Sequence, residues 1–585
     1  GELVEAFAGE RAQQGRLVGE VAVDGGGADA GFAGDGAQAQ AVGVAVFEQP
    51  HAAIDQRGAQ VAMVIAARFD GGVGFNVDSV SIACHDANTV NIPESFCQII
   101  FTPGEVNMAS KVEELIRGTV TKGIMKVAQF NRNRLHAPEA PHPFLSGVHT
   151  PMTQEVTVTD LVVTGTIPAA LDGRYLRIGP NPVTPPNPAA YHWFIGDGMV
   201  HGVRLEGGKA QWYRNRWIRS NQVSAALGEP VAPGPRSGLG DAVNTNVLGH
   251  AGKTWALVEA SAFPVELSET LDTVAHNPFE GTLKASFSAH PHLDPLTGEM
   301  HAICYAGADP TTIRHVVVGI DGKVRREEPI AVQDGPSIHD CMITARYVLV
   351  FDLPVTFSMK VLLAGHPFPY AWNPDHQARI GLLPREGTDA DIIWCNVEPC
   401  YVFHPCNGYD TADGKVIVDV AVHDTMFADS RQGPDSKTVT FERWTIDPVA
   451  KSVDRKVIDA APQEFPRPDE RRLGQPYRYA YAMPLPMGQS DFVSDSHYIK
   501  HDLQAGTREV HHFGAGRYPG EFVFVPRSAD AAEDDGWLMG YVIDTNDETT
   551  DLVILDAAHF TAPPVATVKI PHRVPPGFHG NWVAA

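Results

Sequence analysis

Four histidines occupy settings from which imidazoles could converge on a metal ion. His404 follows the apolar, aromatic run Tyr401-Val-Phe and precedes Pro405 and the turn-forming pair Asn407-Gly408. His290 lies in Phe287-Ser-Ala-His-Pro-His-Leu-Asp-Pro295, His339 in Ser337-Ile-His-Asp340, and His579 in Gly577-Phe-His-Gly-Asn-Trp582. Each stands where a strand is expected to end, flanked by Pro, Gly or Asp. Imidazole suits iron, copper, nickel and zinc alike, so the donor type alone does not choose among them. Structural zinc usually recruits cysteine, and catalytic zinc needs only three protein ligands. Four neutral nitrogens on one side of an octahedral ion would leave two positions for a small molecule beside a substrate.

The four are separated by 49, 65 and 175 residues, so no single helix or hairpin carries two of them. Bringing them together needs four separate strands directed at one axis. From about Leu135 the chain has the matching texture, short apolar runs divided by turns. Phrases of the form apolar-Asp-turn-apolar recur, and Asp447, Asp502 and Asp556 are 55 and 54 residues apart. That period fits a four-stranded sheet unit with one such hairpin per unit, hence an all-β propeller. A pair of β-sandwiches would show closer strand spacing.

Composition narrows the rest. A net charge of -25 with no basic stripe argues against a nucleic-acid partner. Seven cysteines without regular spacing point to a reducing compartment, and so to a cytoplasmic protein. The cluster Cys395, Cys400 and Cys406 lacks metal-site spacing and is expected to be buried free thiols. No apolar run is long enough to span a bilayer, and no secretory signal is evident.

Residues 1–107 differ from the rest of the chain: they hold no Lys, Trp or Tyr, only two Leu, and much Gly and Ala. We expect a non-native or disordered upstream extension there. Ser110 and the segment to Arg117 read as the capped start of a helix, giving a helical lead-in over 108–137 and a catalytic domain over 138–585.

Several phrases resemble the carotenoid cleavage oxygenases. They are Leu171-Asp-Gly-Arg-Tyr-Leu-Arg-Ile-Gly-Pro-Asn-Pro182, Tyr191-His-Trp-Phe-Ile-Gly-Asp-Gly-Met-Val-His-Gly202, Ser288 to Pro295, Glu398 to Asn407, Glu464-Phe-Pro-Arg-Pro468 and Phe578-His-Gly-Asn-Trp582. They run in family order from about residue 140 to 585, and the bacterial carotenoid-cleaving branch is the most similar. The resemblance implies a seven-bladed β-propeller with a helical and loop dome over the metal face. It implies one Fe(2+) per chain on His290, His339, His404 and His579. It also implies that Glu259, Glu464 and Glu521 accept the far N–H of three of these rings, which fixes the tautomer and raises ligand basicity.

The implied activity is dioxygen-dependent cleavage of one C=C bond of a carotenoid or apocarotenoid into two carbonyl products. Its partners would be a lipophilic polyene and O2, with no obligate protein partner. The route to the metal should then be apolar, and Trp193, Phe194, Phe357 and Phe403 are candidate walls. Phe357 to Ala364 is a candidate dome helix, which would pack on the propeller or offer an apolar tunnel mouth to a membrane surface. The competing specificity is a hydroxystilbene, since stilbene-cleaving relatives hold a phenol with a lysine just before the first of these glutamates. Here that position is Val258, with Lys253 displaced. A non-catalytic propeller scaffold is the remaining alternative. His292, His201 and His192 are expected to serve packing rather than ligation.

Overall fold

The computed structural model describes residues 39–46, 61–72, 74–86, 123–136 and, apart from positions 239, 308, 432, 487–490 and 495, residues 140–585. The chain divides into two units between Thr119 and Val120. In the first, strands Ala39–Val46, Val61–Gly72 and Gly74–Asp86 form a three-stranded antiparallel sheet. The remainder of the expected 1–107 extension, and the expected helix start at 108–117, lie outside the described residues.

The second unit is a seven-bladed β-propeller. Blades I to V run in chain order, with innermost strands Asn246–His250, His292–Leu293, Cys341–Ile343, Tyr401–Asp410 and Gln463–Arg467. Blade VI is led by Arg517–Pro519 and Val523–Pro526. Its outer edge is supplied from far upstream by Val162–Gly165, which pairs with Ala566–Ile570. Blade VII reverses this exchange. The C-terminal strand Gly580–Ala584 is innermost and pairs with Gly173–Pro180, Gly580 opposite Arg177. The ring is therefore closed by two strand exchanges between its ends. Gly580 is required at this seam, because a Cβ there would lie 2.5 Å from the Leu176 carbonyl oxygen.

Burial falls from the axis outward, and the sequence pattern matches it. In blade IV the second strand, Val416–His423, is a β-branched run buried throughout, between sheets on both faces, whereas the outermost strand, Ser452–Asp459, is partly exposed. Asp419 inside that buried run is satisfied by Arg443 at 2.8 Å and by the Tyr477 hydroxyl at 2.7 Å. The periodic aspartates have one shared job. Asp447, Asp502 and Asp556 end the third strands of blades IV, V and VI, and their carboxylates accept backbone N–H groups of the following turn at 2.9–3.1 Å.

The dome is built from loops on one face of the ring. The expected helix within 357–364 forms as Met359–Leu363, capped by Ser358 and inserted in blade III between two short strands, Val355–Phe357 and Tyr370–Trp372. A helix over 123–132 docks on it: Asn131 Nδ2 donates to the Leu363 carbonyl at 2.7 Å and Arg132 Nε to that of Gly365 at 3.1 Å. Gly365 permits the approach, having φ of 94° and room for no Cβ, which would lie 2.4 Å from the Arg132 backbone nitrogen. No described helix is long and apolar enough to cross a membrane.

Candidate metal centre

All seven blades meet at the axis, and each contributes one residue of the site. His290, His339 and His579 directly precede or closely approach the innermost strands of blades II, III and VII. His404 departs from expectation. It lies not at a strand tip but inside the ten-residue strand Tyr401–Asp410, and Asn407-Gly408 is part of that strand rather than a turn. The strand survives because its register slips on both sides of Pro405, which has no N–H to give to the ladder. Asn407 is held within the sheet by bonds to the Arg472 and Gln475 carbonyls. Glu259, Glu464 and Glu521 come from blades I, V and VI.

The four rings converge. His290 Nε2 and His579 Nε2 are 2.9 Å apart, and His339 Nε2 and His404 Nε2 are 3.3 Å apart. Ring centroids of His290 and His339 lie 4.2 Å apart, and those of His404 and His579 4.9 Å. Behind them, His339 Nδ1 meets Glu259 Oε2 at 2.5 Å, His404 Nδ1 meets Glu464 Oε2 at 2.6 Å, and His579 Nδ1 meets Glu521 Oε1 at 3.1 Å. His290 Nδ1 is buried without a partner. Three carboxylates thus serve three of the four rings, on the residues the resemblance singled out.

The electrostatics keep these carboxylates charged. Burial opposes ionisation of Glu464, but His404 and His423 outweigh it and hold its carboxyl far below the ordinary range. Glu521 is equally buried, yet Arg467 and His579 bring it down to about 2. Glu259 is lowered as well, burial being overcome by His339 and by the hydroxyls of Tyr305 and Ser337. His290, with no carboxylate, is held well below the ordinary histidine range by burial and by the imidazoles of His339, His579, His404 and His292.

This arrangement fits a cation. With Nδ1–H committed to a carboxylate, His339 and His404 each present a bare Nε2 lone pair, and these face one another at 3.3 Å. Two lone pairs at that distance call for a positive charge between them. Against its burial, the Glu464 carboxylate raises the proton affinity of His404, and a bound metal ion would take the place of that proton. Metal–imidazole bonds of about 2.1 Å would place neighbouring nitrogens about 3 Å apart, which is the spacing found.

Over this set stands a cavity of about 770 Å³, and its walls are largely apolar. Trp193, Phe194, Phe357 and Phe403 all line it, as do Met359 and Leu362 of the dome helix and Val258. Lys253 is elsewhere, bonded to Glu266 at 2.9 Å and to Glu280. Of the other singled-out residues, His201 bonds the Tyr213 hydroxyl at 3.0 Å and His192 stacks on Phe368, so both pack. His292 lies beside the site and pairs with Asp340 at 2.8 Å. Cys395, Cys400 and Cys406 are buried free thiols.

Sequence reasoning missed the outer supports: His423 on Glu464, Arg467 on Glu521, and Tyr305 with Ser337 on Glu259. Arg467 and Ser337 alone stood in phrases the sequence singles out, Glu464 to Pro468 and Ser337 to Asp340.

A family model described as "Retinal pigment epithelial membrane protein" (RPE65) matches residues 149–584. The chain belongs to the RPE65, or carotenoid cleavage oxygenase, family. Among relatives of this family, it is 43% identical over 496 residues to a "Carotenoid cleavage oxygenase" of Mycobacterium tuberculosis, covering 76% of this chain and 98% of that protein. It is 30% identical to "Carotenoid 9,10(9',10')-cleavage dioxygenase 1" of Phaseolus vulgaris, covering 77% and 91%. Similar solved structures include the Pseudomonas brassicacearum lignostilbene dioxygenase (TM-score 0.69, 28% identity, 77% of this chain and all of that one). Another is cobalt-substituted Synechocystis ACO (TM-score 0.66, 27% identity, 74% and 97%).

Proposed function

We propose that this chain is an iron(II)-dependent dioxygenase that cleaves one C=C bond of a carotenoid or apocarotenoid, placing one atom of O2 on each of two carbonyl products. The observation that carries this reading is the set of four converging imidazoles, three of which, His339, His404 and His579, border a large apolar cavity. His290, His339, His404 and His579 would hold one iron ion per chain. When bound, iron supplies the activation of dioxygen. Glu259, Glu464 and Glu521 keep a proton on Nδ1 of their rings and leave Nε2 free to ligate. Trp193, Phe194, Phe357 and Phe403 bind the polyene and exclude water. Val258, where a lysine would meet a phenol, supports an apolar substrate over a hydroxystilbene.

The same reading extends to the surroundings. Ile195 and Met359 line the cavity and are each 44% exposed, an apolar rim suited to receiving a lipophilic substrate at a membrane surface. Cys304, Cys341, Cys395, Cys400 and Cys406 are free thiols, as suits a reducing, cytoplasmic setting.

The test is to measure iron content and, with ¹⁸O2, the products from a panel of carotenoids, apocarotenoids and a hydroxystilbene. One iron per chain and labelled carbonyl products from a polyene are expected, with both lost in His404→Ala. Cleavage of the stilbene alone would refute the substrate, and full activity without iron would refute the mechanism.

A further inference from the structure

Chain direction shows that the imidazole ring has two faces. Residues just before the histidines, such as Phe403 and Phe578, line the apolar cavity. Residues just after them, Pro405 and Cys406, Asn581 and Trp582, line a second cavity of about 200 Å³. His404 and His579 border both. The two cavities therefore lie at opposite ends of the propeller axis, with the imidazoles as the partition between them.

The second cavity has the opposite chemistry. Its wall carries the carboxylates of Asp340, Glu470 and Glu521 against the single guanidinium of Arg467, together with His250 and His292. A hydrated divalent cation would have to shed its water against aromatic rings to pass the first cavity, where Arg132 also stands on the wall. In the second it meets carboxylate and imidazole that can replace its waters, and three carboxylates against one guanidinium leave a net negative cleft, which concentrates cations. His292 Nε2 and Asp340 Oδ1, 2.8 Å apart, are placed to do this: one is two residues from His290 and the other adjoins His339. Their ligating atoms and Cys341 Sγ all fall within 4.8 Å of one another.

We propose that the metal reaches the four imidazoles through this polar axial cavity, and that His292 with Asp340 is where the incoming divalent cation is first held. The proposal rests on the reading that the four histidines hold the metal. It makes the two ends of the propeller separate entrances, one for the cation and one for the polyene.

The test tracks Co2+ uptake by metal-free full-length protein in stopped flow, with equilibrium affinity and release rate measured in parallel. Asp340→Asn, which keeps the side-chain shape, should slow uptake and release together by about 10-fold and leave affinity within about 3-fold. A brace that merely positions the neighbouring ligands would instead weaken affinity. A second pair of variants alters only exposed rim residues. Leu293→Lys, at the polar mouth, should slow uptake in a salt-dependent way, and Ile195→Lys, at the apolar mouth, should not. Slowing by Ile195→Lys alone, or unchanged rates in both Asp340→Asn and Leu293→Lys, would overturn the route while leaving the four-imidazole reading intact. Absence of any cobalt binding would overturn both.

Discussion

Glu464 Oε2 lies 2.6 Å from His404 Nδ1, and the other oxygen of that carboxylate lies 3.0 Å from His423 Nε2. One charge, fully buried, therefore holds a candidate ligand and an outer histidine at once, and the outer histidine is anchored in turn on the Ser436 hydroxyl at 2.8 Å. Glu464→Gln keeps the shape but offers a neutral amide to two imidazoles. We expect metal affinity to fall by about 10- to 100-fold, with the fold intact. Metal content after dialysis against a chelator, beside circular dichroism, measures it.

Three histidines away from the metal centre make stability fall in acid. Burial brings His192 down to about 3 and His301 and His501 to about 4. In the unfolded chain each titrates near 6.5, so between these values the unfolded state binds protons that the folded state refuses. Stability from this source is complete above about pH 6.5 and is lost as pH falls towards 4. The melting temperature should therefore drop steadily from pH 7 to pH 5, and a flat profile over that range would contradict the burial of these rings as neutral species.

How much of this could be read from residues alone divides along a physical line. Asp447, Asp502 and Asp556 were legible because a turn-capping aspartate ends the third strand of three consecutive blades, and the period survives in the sequence. The four histidines that converge, and the three glutamates behind them, were legible through phrases that keep local context. His404 as a strand end was not, because Pro405 and Asn407-Gly408 are turn signals by local preference, and only pairing to Val416–His423 overrides them. His423 was invisible for the same reason: it faces Tyr401 across a ladder, a neighbour fixed by register and not by spacing. The polar axial cavity was also hidden, since it is lined by residues from blades scattered over more than 300 positions.

Val258 separates the two substrate readings. It is buried in the cavity wall beside Glu259. Val258→Lys would set an ammonium group in an apolar passage, a costly placement unless a polar partner meets it. Turnover of a carotenoid should fall by at least about 10-fold, while a hydroxystilbene, whose phenol can accept that charge, should gain. Comparing kcat/KM for the two substrates checks this, and a parallel loss on both would mean that the side chain acts only through packing.

The third glutamate depends on a phenol. Glu259 has neither the arginine of Glu521 nor the second histidine of Glu464. Its Oε1 is met by the Tyr305 hydroxyl and, at 3.4 Å, by that of Ser337, which also receives the Tyr401 hydroxyl at 3.2 Å. Tyr305→Phe removes the principal neutral donor and leaves a buried carboxylate oxygen with little compensation, a loss of about 1–3 kcal/mol. Part of that loss should reach His339, whose Nδ1 is bonded to the same carboxyl. The expected result is metal binding weaker by about 5- to 50-fold, with cavity shape preserved because Phe retains the ring. Calorimetric titration of the metal-free variant reads this directly. Tyr401→Phe, one hydroxyl further out, should show a smaller change of the same sign, and equal effects from the two would mean that the network acts as one unit.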